Sequence, residues 1–217
     1  MIVAAAVASC SAVPDARPIA LDSAAAVRVR AALANWRQPT SEEGLRLPLV
    51  ANFRIGRVRQ RAAGVLEYHA PRDFRLTVGS DSGTVLFDGR VNWAGVTILR
   101  HRPDMDVGAL EAFFADLVRA FEPPATLEGL EAGAQWMILT RRMGDTHRYT
   151  WIFDREDGKL VNAAVEMDVF DTLHIAYGQN LADGWPAELY LERRAKDYDM
   201  DLSFMQVPRE LATNEHE

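Results

Sequence analysis

The chain opens on an unbroken apolar run from Ile2 to Ala8 and then alternates between helical and two-residue hydrophobic periods. Asp22 or Ser23 stands where a helix N-cap is needed, and Val27, Ala31 and Leu33 or Ala34 then share one helical face within Ala24 to Arg37, which Pro39 stops. Beyond Leu45 the period falls to two: Phe53 and Ile55 against Arg54, Leu66 and Tyr68 against Glu67 and His69, Phe74, Leu76 and Val78 against Arg75 and Thr77. Such alternation marks half-buried antiparallel strands. Pro71-Arg72-Asp73, Gly79 to Gly83 and Asp88-Gly89 supply turns short enough for hairpins.

A second helix interrupts this meander. Asp106 caps it, Val107, Leu110, Phe113, Phe114, Leu117, Val118 and Phe121 form one broad apolar face, and Pro123 and Pro124 end it. Strand periods resume through Trp136 and Ile138, through Tyr149, Trp151 and Phe153, and after Asp157-Gly158 through Val161, Ala163, Val165 and Met167. Leu173, Ile175 and Tyr177 follow, then Leu189 and Leu191, then Met200, Leu202 and Phe204. The fold class is therefore α+β and mainly β, with about eleven strands; a sheet that long curls or closes instead of staying flat. Strict alternation from Phe53 and Ile55 aims Arg57 inward, whereas a bulge at Gly56 turns it outward.

The leading apolar run is too short to cross a bilayer, which takes roughly 20 residues, but it suits a signal-peptide core. It ends in Val7-Ala8-Ser9-Cys10, which looks like a bacterial lipobox, and Cys10 is the single cysteine of the chain. Residues 1–9 then form a lipoprotein signal peptide, and Cys10 is the point of lipid attachment. Only the terminal amine supplies the positive charge that such leaders normally take from Lys or Arg. In the alternative reading Cys10 is an inert thiol in a frayed N-terminus. Residues 10–21, with Pro14 and Pro18, read as a tether, 22–210 as one domain and 211–217 as a polar tail.

The net charge of -7 argues against a nucleic-acid surface, which needs a basic stripe. His69, His101, His147, His174 and His216 lie on separate elements without metal-ligand spacing, so no metal is expected. Asp197, Asp199 and Asp201 mimic a calcium loop, but Leu202 occupies the place of the turn glycine and Pro208 that of the closing glutamate. Gly79-Ser80-Asp81-Ser82-Gly83 puts Asp81 where a nucleophile elbow needs serine, and it joins strand to strand. No phosphate loop or cofactor pattern occurs, and no nucleophile, base and orienter stand together, so a binding module without chemistry is expected.

What the chain has in excess is one-sided apolar surface. Either the curled sheet folds on itself into an ordinary filled core, or it cups a cavity under the Phe113/Phe114 helix that suits an acyl chain, each buried methylene contributing roughly 0.8 kcal/mol. In the second case the cavity is lined by Leu66, Tyr68, Phe74, Leu76, Trp93, Phe113, Phe114, Trp136, Trp151, Phe153, Val165 and Ile175. A one-residue slip would reverse any of these strands. The first case describes an interaction protein that assembles with envelope partners. An esterase using Ser82 ranks last.

The order of parts resembles the LolA/LolB superfamily of periplasmic lipoprotein carriers and outer-membrane receptors over most of Leu45 to Val207. The echoes are Phe53-Arg54-Ile55-Gly56-Arg57-Val58 as first strand, Phe74-Arg75-Leu76-Thr77-Val78 running into a hairpin, and Gly184-Trp185-Pro186 before strands ending in Leu202-Ser203-Phe204. The resemblance implies an incomplete antiparallel barrel around a hydrophobic cavity with covering helices, and partners that are lipid or lipoprotein acyl chains, a membrane, and a periplasmic carrier or other envelope protein. An acylated Cys10 makes the chain similar to the LolB branch, on the periplasmic face of the outer membrane, and the resemblance implies that Ser11 favours release to that membrane over retention. One departure matters: the receptor's membrane-inserting hairpin has an apolar tip, and the corresponding turn here is the polar Gly79-Ser80-Asp81-Ser82-Gly83.

Overall fold

The computed structural model describes residues 16–34, 44–69, 73–80, 82–122, 124–144, 147–178 and 186–205. Each strand-period segment pairs antiparallel with a neighbour, and all join one sheet. In chain order the strands are β1 (Arg17–Pro18), β2 (Leu45–Ile55), β3 (Val58–His69), β4 (Asp73–Gly79), β5 (Val85–Asn92), β6 (Gly95–His101), β7 (Glu131–Ala132), β8 (Trp136–Met143), β9 (His147–Asp154), β10 (Leu160–Asp168), β11 (Asp171–Tyr177), β12 (Glu188–Arg193) and β13 (Tyr198–Phe204). Helix α1 (Ala24–Ala34) precedes β2, and helix α2 (Val107–Ala120) separates β6 from β7.

The spatial order is β1-β7-β8-β9-β10-β11-β12-β13-β2-β3-β4-β5-β6, which leaves the sheet open with β1 and β6 as its edges. The pairing of β13 with β2, seven residues in register from Tyr198↔Ile55 to Phe204↔Leu49, joins the two hairpin series into one surface. Thirteen strands stand where about eleven are expected from typical strand lengths. The additional β1 and β7 have two residues each, too few for a period to show. They pair with one another, so part of the segment read as a free tether is stitched to the sheet, with Ile19 N donating to Leu130 O at 3.1 Å. Cys10, the apolar leader and the polar tail lie outside the described residues.

Side chains in register across the strands share one buried face: Leu49, Ala51, Phe53 and Ile55 of β2 stand opposite Phe204, Leu202, Met200 and Tyr198 of β13, and the apolar cluster continues through both hairpin series. Helix α2 starts where Asp106 accepts from Ala109 N at 2.9 Å, and it buries Leu110, Phe113, Phe114 and Leu117 against that face. Helix α1 begins under Ser23, whose Oγ accepts from Ala26 N at 3.3 Å. Its inner residues are Ala26 and Val29, not the expected Val27, which is 47 % exposed.

Two turns fall elsewhere than expected. Asp88-Gly89 lies inside β5, beside a register shift, and the chain reverses instead at Trp93 and Ala94 between the paired Asn92 and Gly95. Gly89 is a strand residue because a Cβ there would stand 2.5 Å from the Phe114 ring, so only glycine lets α2 approach. Gly56 and Arg57 form the two-residue turn between the paired Ile55 and Val58, with Gly56 at φ +57°. The segment expected as one first strand is thus cut in two, and Arg57 is exposed at the turn without a bulge.

Candidate functional site

The concave face of the sheet is the place where the sequence assembles its apolar surface. From β2 to β5 it presents Phe53, Leu66, Tyr68, Phe74, Leu76, Val78 and Phe87, and from β8 to β11 Met137, Leu139, Trp151, Phe153, Val165, Leu173 and Ile175, all buried. Ring contacts run from this face into α2. Phe53 meets Phe87 edge-on at 5.3 Å, Phe87 meets Phe114 at 6.3 Å, Phe114 meets Phe113 at 5.2 Å, and Phe113 meets Tyr198 at 5.7 Å. Tyr68 stacks on Phe74 at 4.3 Å, and Phe74 on Phe121 at 5.3 Å. Edge-on and offset stacking of this kind adds about 0.5–1.5 kcal/mol per pair beyond area burial.

Of the twelve residues expected to line a cavity, Leu66, Tyr68, Phe74, Leu76, Phe113, Phe114, Trp151, Phe153, Val165 and Ile175 come together in this core. Trp93 and Trp136 do not. Trp93 is 72 % exposed because it occupies the β5–β6 turn, and Trp136 is 36 % exposed because β8 turns Met137 and Leu139 inward, the opposite phase. The expectation of a vacant hollow under an outer lid is also corrected around Phe87 and Tyr198: α2 lies in the hollow, and its rings touch the sheet there.

A polar group sits in the middle of this apolar contact. Asp116 of α2 is fully buried; its Oδ2 accepts from Tyr198 OH at 2.8 Å and from Arg193 Nη1 at 3.0 Å, and its Oδ1 accepts from Arg119. Arg193 also grips Asp171 bidentately through one edge of its guanidinium, Nε donating at 2.7 Å and Nη2 at 2.6 Å. That grip holds the Asp171 carboxyl below the usual carboxylate range and raises Arg193. Burial, with Asp116 beside it, pushes the Tyr198 phenol upward. Close by, Tyr177 OH donates to Ala120 O at 2.9 Å. The cluster ties the second half of α2 to β11, β12 and β13.

Sequence reasoning passed over this latch, although the signal was present. Asp116 falls between Phe113 and Leu117 on the buried stripe, and Arg193 and Tyr198 continue the inward phases of Leu189 and Leu191 and of Met200 and Leu202. An inward acid facing an inward base is the pattern of a buried pair.

The calcium-like aspartates are used otherwise. Asp197 closes the Arg194–Lys196 turn at φ +53°, and Arg54 binds both Asp197 and Asp199, the latter at 2.6 Å. The β4–β5 turn is held by Ser80 N on Thr84 O at 2.8 Å and Gly83 N on Ser80 O at 2.9 Å, as a hairpin loop requires. A separate cavity of about 570 Å³ opens at the rim of the sheet, lined by Arg142, His147, Arg148, Glu166, Met167, Asp168 and Val169.

No family model matches the chain. No curated protein matches it either. Solved structures do. A LolA superfamily protein from Nitrosomonas europaea is similar with a TM-score of 0.47 at 8 % identity, covering 90 % of this chain and 100 % of its own. An outer membrane lipoprotein-sorting protein domain from Vibrio parahaemolyticus gives a TM-score of 0.41 at 9 % identity over 83 % and 89 %. A DUF1329 family protein from Desulfovibrio piger gives 0.42 at 10 % over 84 % and 91 %.

Proposed function

We propose that this chain is a lipid-binding protein of the bacterial cell envelope, anchored through Cys10, which takes up acyl chains on the concave face of its sheet when α2 moves aside. It performs no chemistry on them. The observation that carries this reading is the seat of α2: an amphipathic helix laid into the apolar concavity of an open sheet, with a polar latch at its centre.

The magnitudes make helix and ligand near-equal competitors for that seat. Withdrawing Leu110, Phe113, Phe114 and Leu117 from the face costs about 8 kcal/mol, at roughly 2 kcal/mol for each large apolar side chain. The latch adds little to this, because its charges regain water as they separate. An acyl chain of about twelve buried methylenes returns about 10 kcal/mol. Transfer of the chain to and from other lipid-carrying proteins of the envelope is the role such a balance suits.

Native mass spectrometry of the full chain purified from membranes tests the proposal. Co-purifying lipid is the expected result, and Cys10→Ala is expected to yield a soluble, unacylated protein. A second reading, an interaction protein with a permanently filled core, is favoured by the near-complete burial of the ten concave residues. A protein that emerges empty and takes up no fluorescent fatty acid would establish it instead.

A further inference from the structure

Among the described residues the most exposed large apolar side chains are Val169, at 83 %, and Phe170, at 92 %. They form the turn between β10 and β11, closed by the paired Asp168 and Asp171. Two-residue hairpin turns normally take Asn, Asp or Gly. Neither Val169 nor Phe170 adopts a positive φ, and a register shift between Glu166 and Asp168 accompanies the turn. Nothing in the fold asks for a phenyl ring at this place.

The surroundings say what the ring meets. β9 pairs with β10, which brings the end of the β8–β9 hairpin alongside, with Met143 55 % exposed. Among the described residues, Glu166 is paired with Arg148 at 2.5 Å and Asp171 with Arg193, while Asp168 keeps its charge, its Oδ1 accepting only from Val169 N at 2.6 Å. Arg142, at the rim cavity beside the turn, and Lys196, on the neighbouring β12–β13 connection, are exposed and make no ion pair among the described residues. Of the described charges at the tip that form no ion pair, two, Arg142 and Lys196, are cationic and one, Asp168, is anionic, in a chain whose net charge is -7.

We infer that this end of the sheet docks on an anionic lipid bilayer, with Phe170 and Val169 entering the headgroup boundary while Arg142 and Lys196 meet lipid phosphates. Size favours a bilayer over a protein partner. Two side chains on a convex tip fall far short of the roughly 800 Å² per partner that a specific protein interface buries, whereas a bilayer admits even one ring. The inference stands apart from the concave site, since none of Val169, Phe170, Arg142 and Lys196 belongs to it.

Co-sedimentation with phosphatidylglycerol-containing vesicles tests it, using the full chain with Cys10→Ala so that no acyl anchor contributes. Phe170→Ser is expected to lower binding about tenfold, the partition value of one ring. Arg142→Ser is expected to lower it about fivefold, and only on the anionic vesicles, not on pure phosphatidylcholine. Trp93→Ser is the control, an exposed aromatic at the opposite end of the sheet, and leaves binding unchanged. Unaltered melting temperatures confirm that the variants fold. Equal binding by Phe170→Ser and its parent, an equal loss with Trp93→Ser, or a change of oligomeric state without a change in vesicle binding would overturn the inference.

Discussion

The two helices cover one sheet with opposite chemistry. Helix α1 is built from small residues, buries only Ala26 and Val29, and rests where the Gly158 turn comes close: a Cβ on Gly158 would stand 2.5 Å from Arg28. Helix α2 buries Leu110, Phe113, Phe114 and Leu117, needs Gly89 beneath it, and carries the fully buried Asp116 that binds Arg193 and Tyr198. Close backbone approach seats the first helix. Rings and an ionic latch seat the second, fixing it in one register.

The sharpest way to break this contrast is to truncate one buried side chain on each helix and compare urea unfolding. Phe114→Ala is expected to cost about 3–5 kcal/mol, the range for a buried ring. Val29→Ala is expected to cost about 1.5 kcal/mol, the value of two methyl groups. Equal losses would erase the distinction. The latch has its own signature: Asp116→Ala is expected to cost about 1–3 kcal/mol by leaving the buried Tyr198 hydroxyl and Arg193 Nη1 without their acceptor, Arg193 staying paired with Asp171, while the double variant Asp116→Leu with Tyr198→Phe recovers most of it. A double variant as unstable as the single one would mean the cluster supplies net stability beyond its mutual satisfaction.

Gly89→Ala is a smaller perturbation of the same contact. Overpacking against Phe114 is expected to cost about 1–3 kcal/mol, and Phe114→Leu should relieve it. An additive pair of losses would place the strain elsewhere.

The smallest effect lies on the outer face. Burial lowers the His174 pKa. A depressed folded pKa means the unfolded chain binds the proton more readily, so this contribution is present above about pH 6.5 and fades as pH falls. Thermal unfolding should therefore weaken as pH falls from 7 towards 5, and His174→Gln should flatten that slope. A separate loss below about pH 4 is expected from Asp171, whose pKa is lowered by Arg193. An unchanged pH profile in the His174 variant would remove its role.

How much of this was legible depended on how clean each pattern was. The cap and stripe of α2 were readable because Asp106 precedes a stripe with apolar residues at helical spacing, and the β2 and β4 faces because apolar and polar residues alternate strictly. Trp136-Met137-Ile138-Leu139 has no polar member, so nothing local sets its phase, and Ala24 to Ala34 is so rich in alanine that its inner face is set by what it packs on. Asp88-Gly89 carries the strongest hairpin signal a dipeptide can carry. It was overridden by tertiary demands: Gly89 makes room for Phe114, and Asp88 accepts from Nε and Nη2 of Arg75, at 3.1 and 2.9 Å. The α2 latch required matching an acid and a base far apart in sequence, which periodicity alone does not do.

The central claim is that α2 and an acyl chain occupy the same seat in turn. Amide hydrogen exchange across residues 107–120, followed in the full chain with and without a saturating long-chain fatty acid, measures this directly. Exchange in α2 is predicted to accelerate when the acid binds, while the β13–β2 pairing stays protected. Unchanged protection of α2 in a chain that has bound the acid, or no uptake of the acid at all, would contradict it.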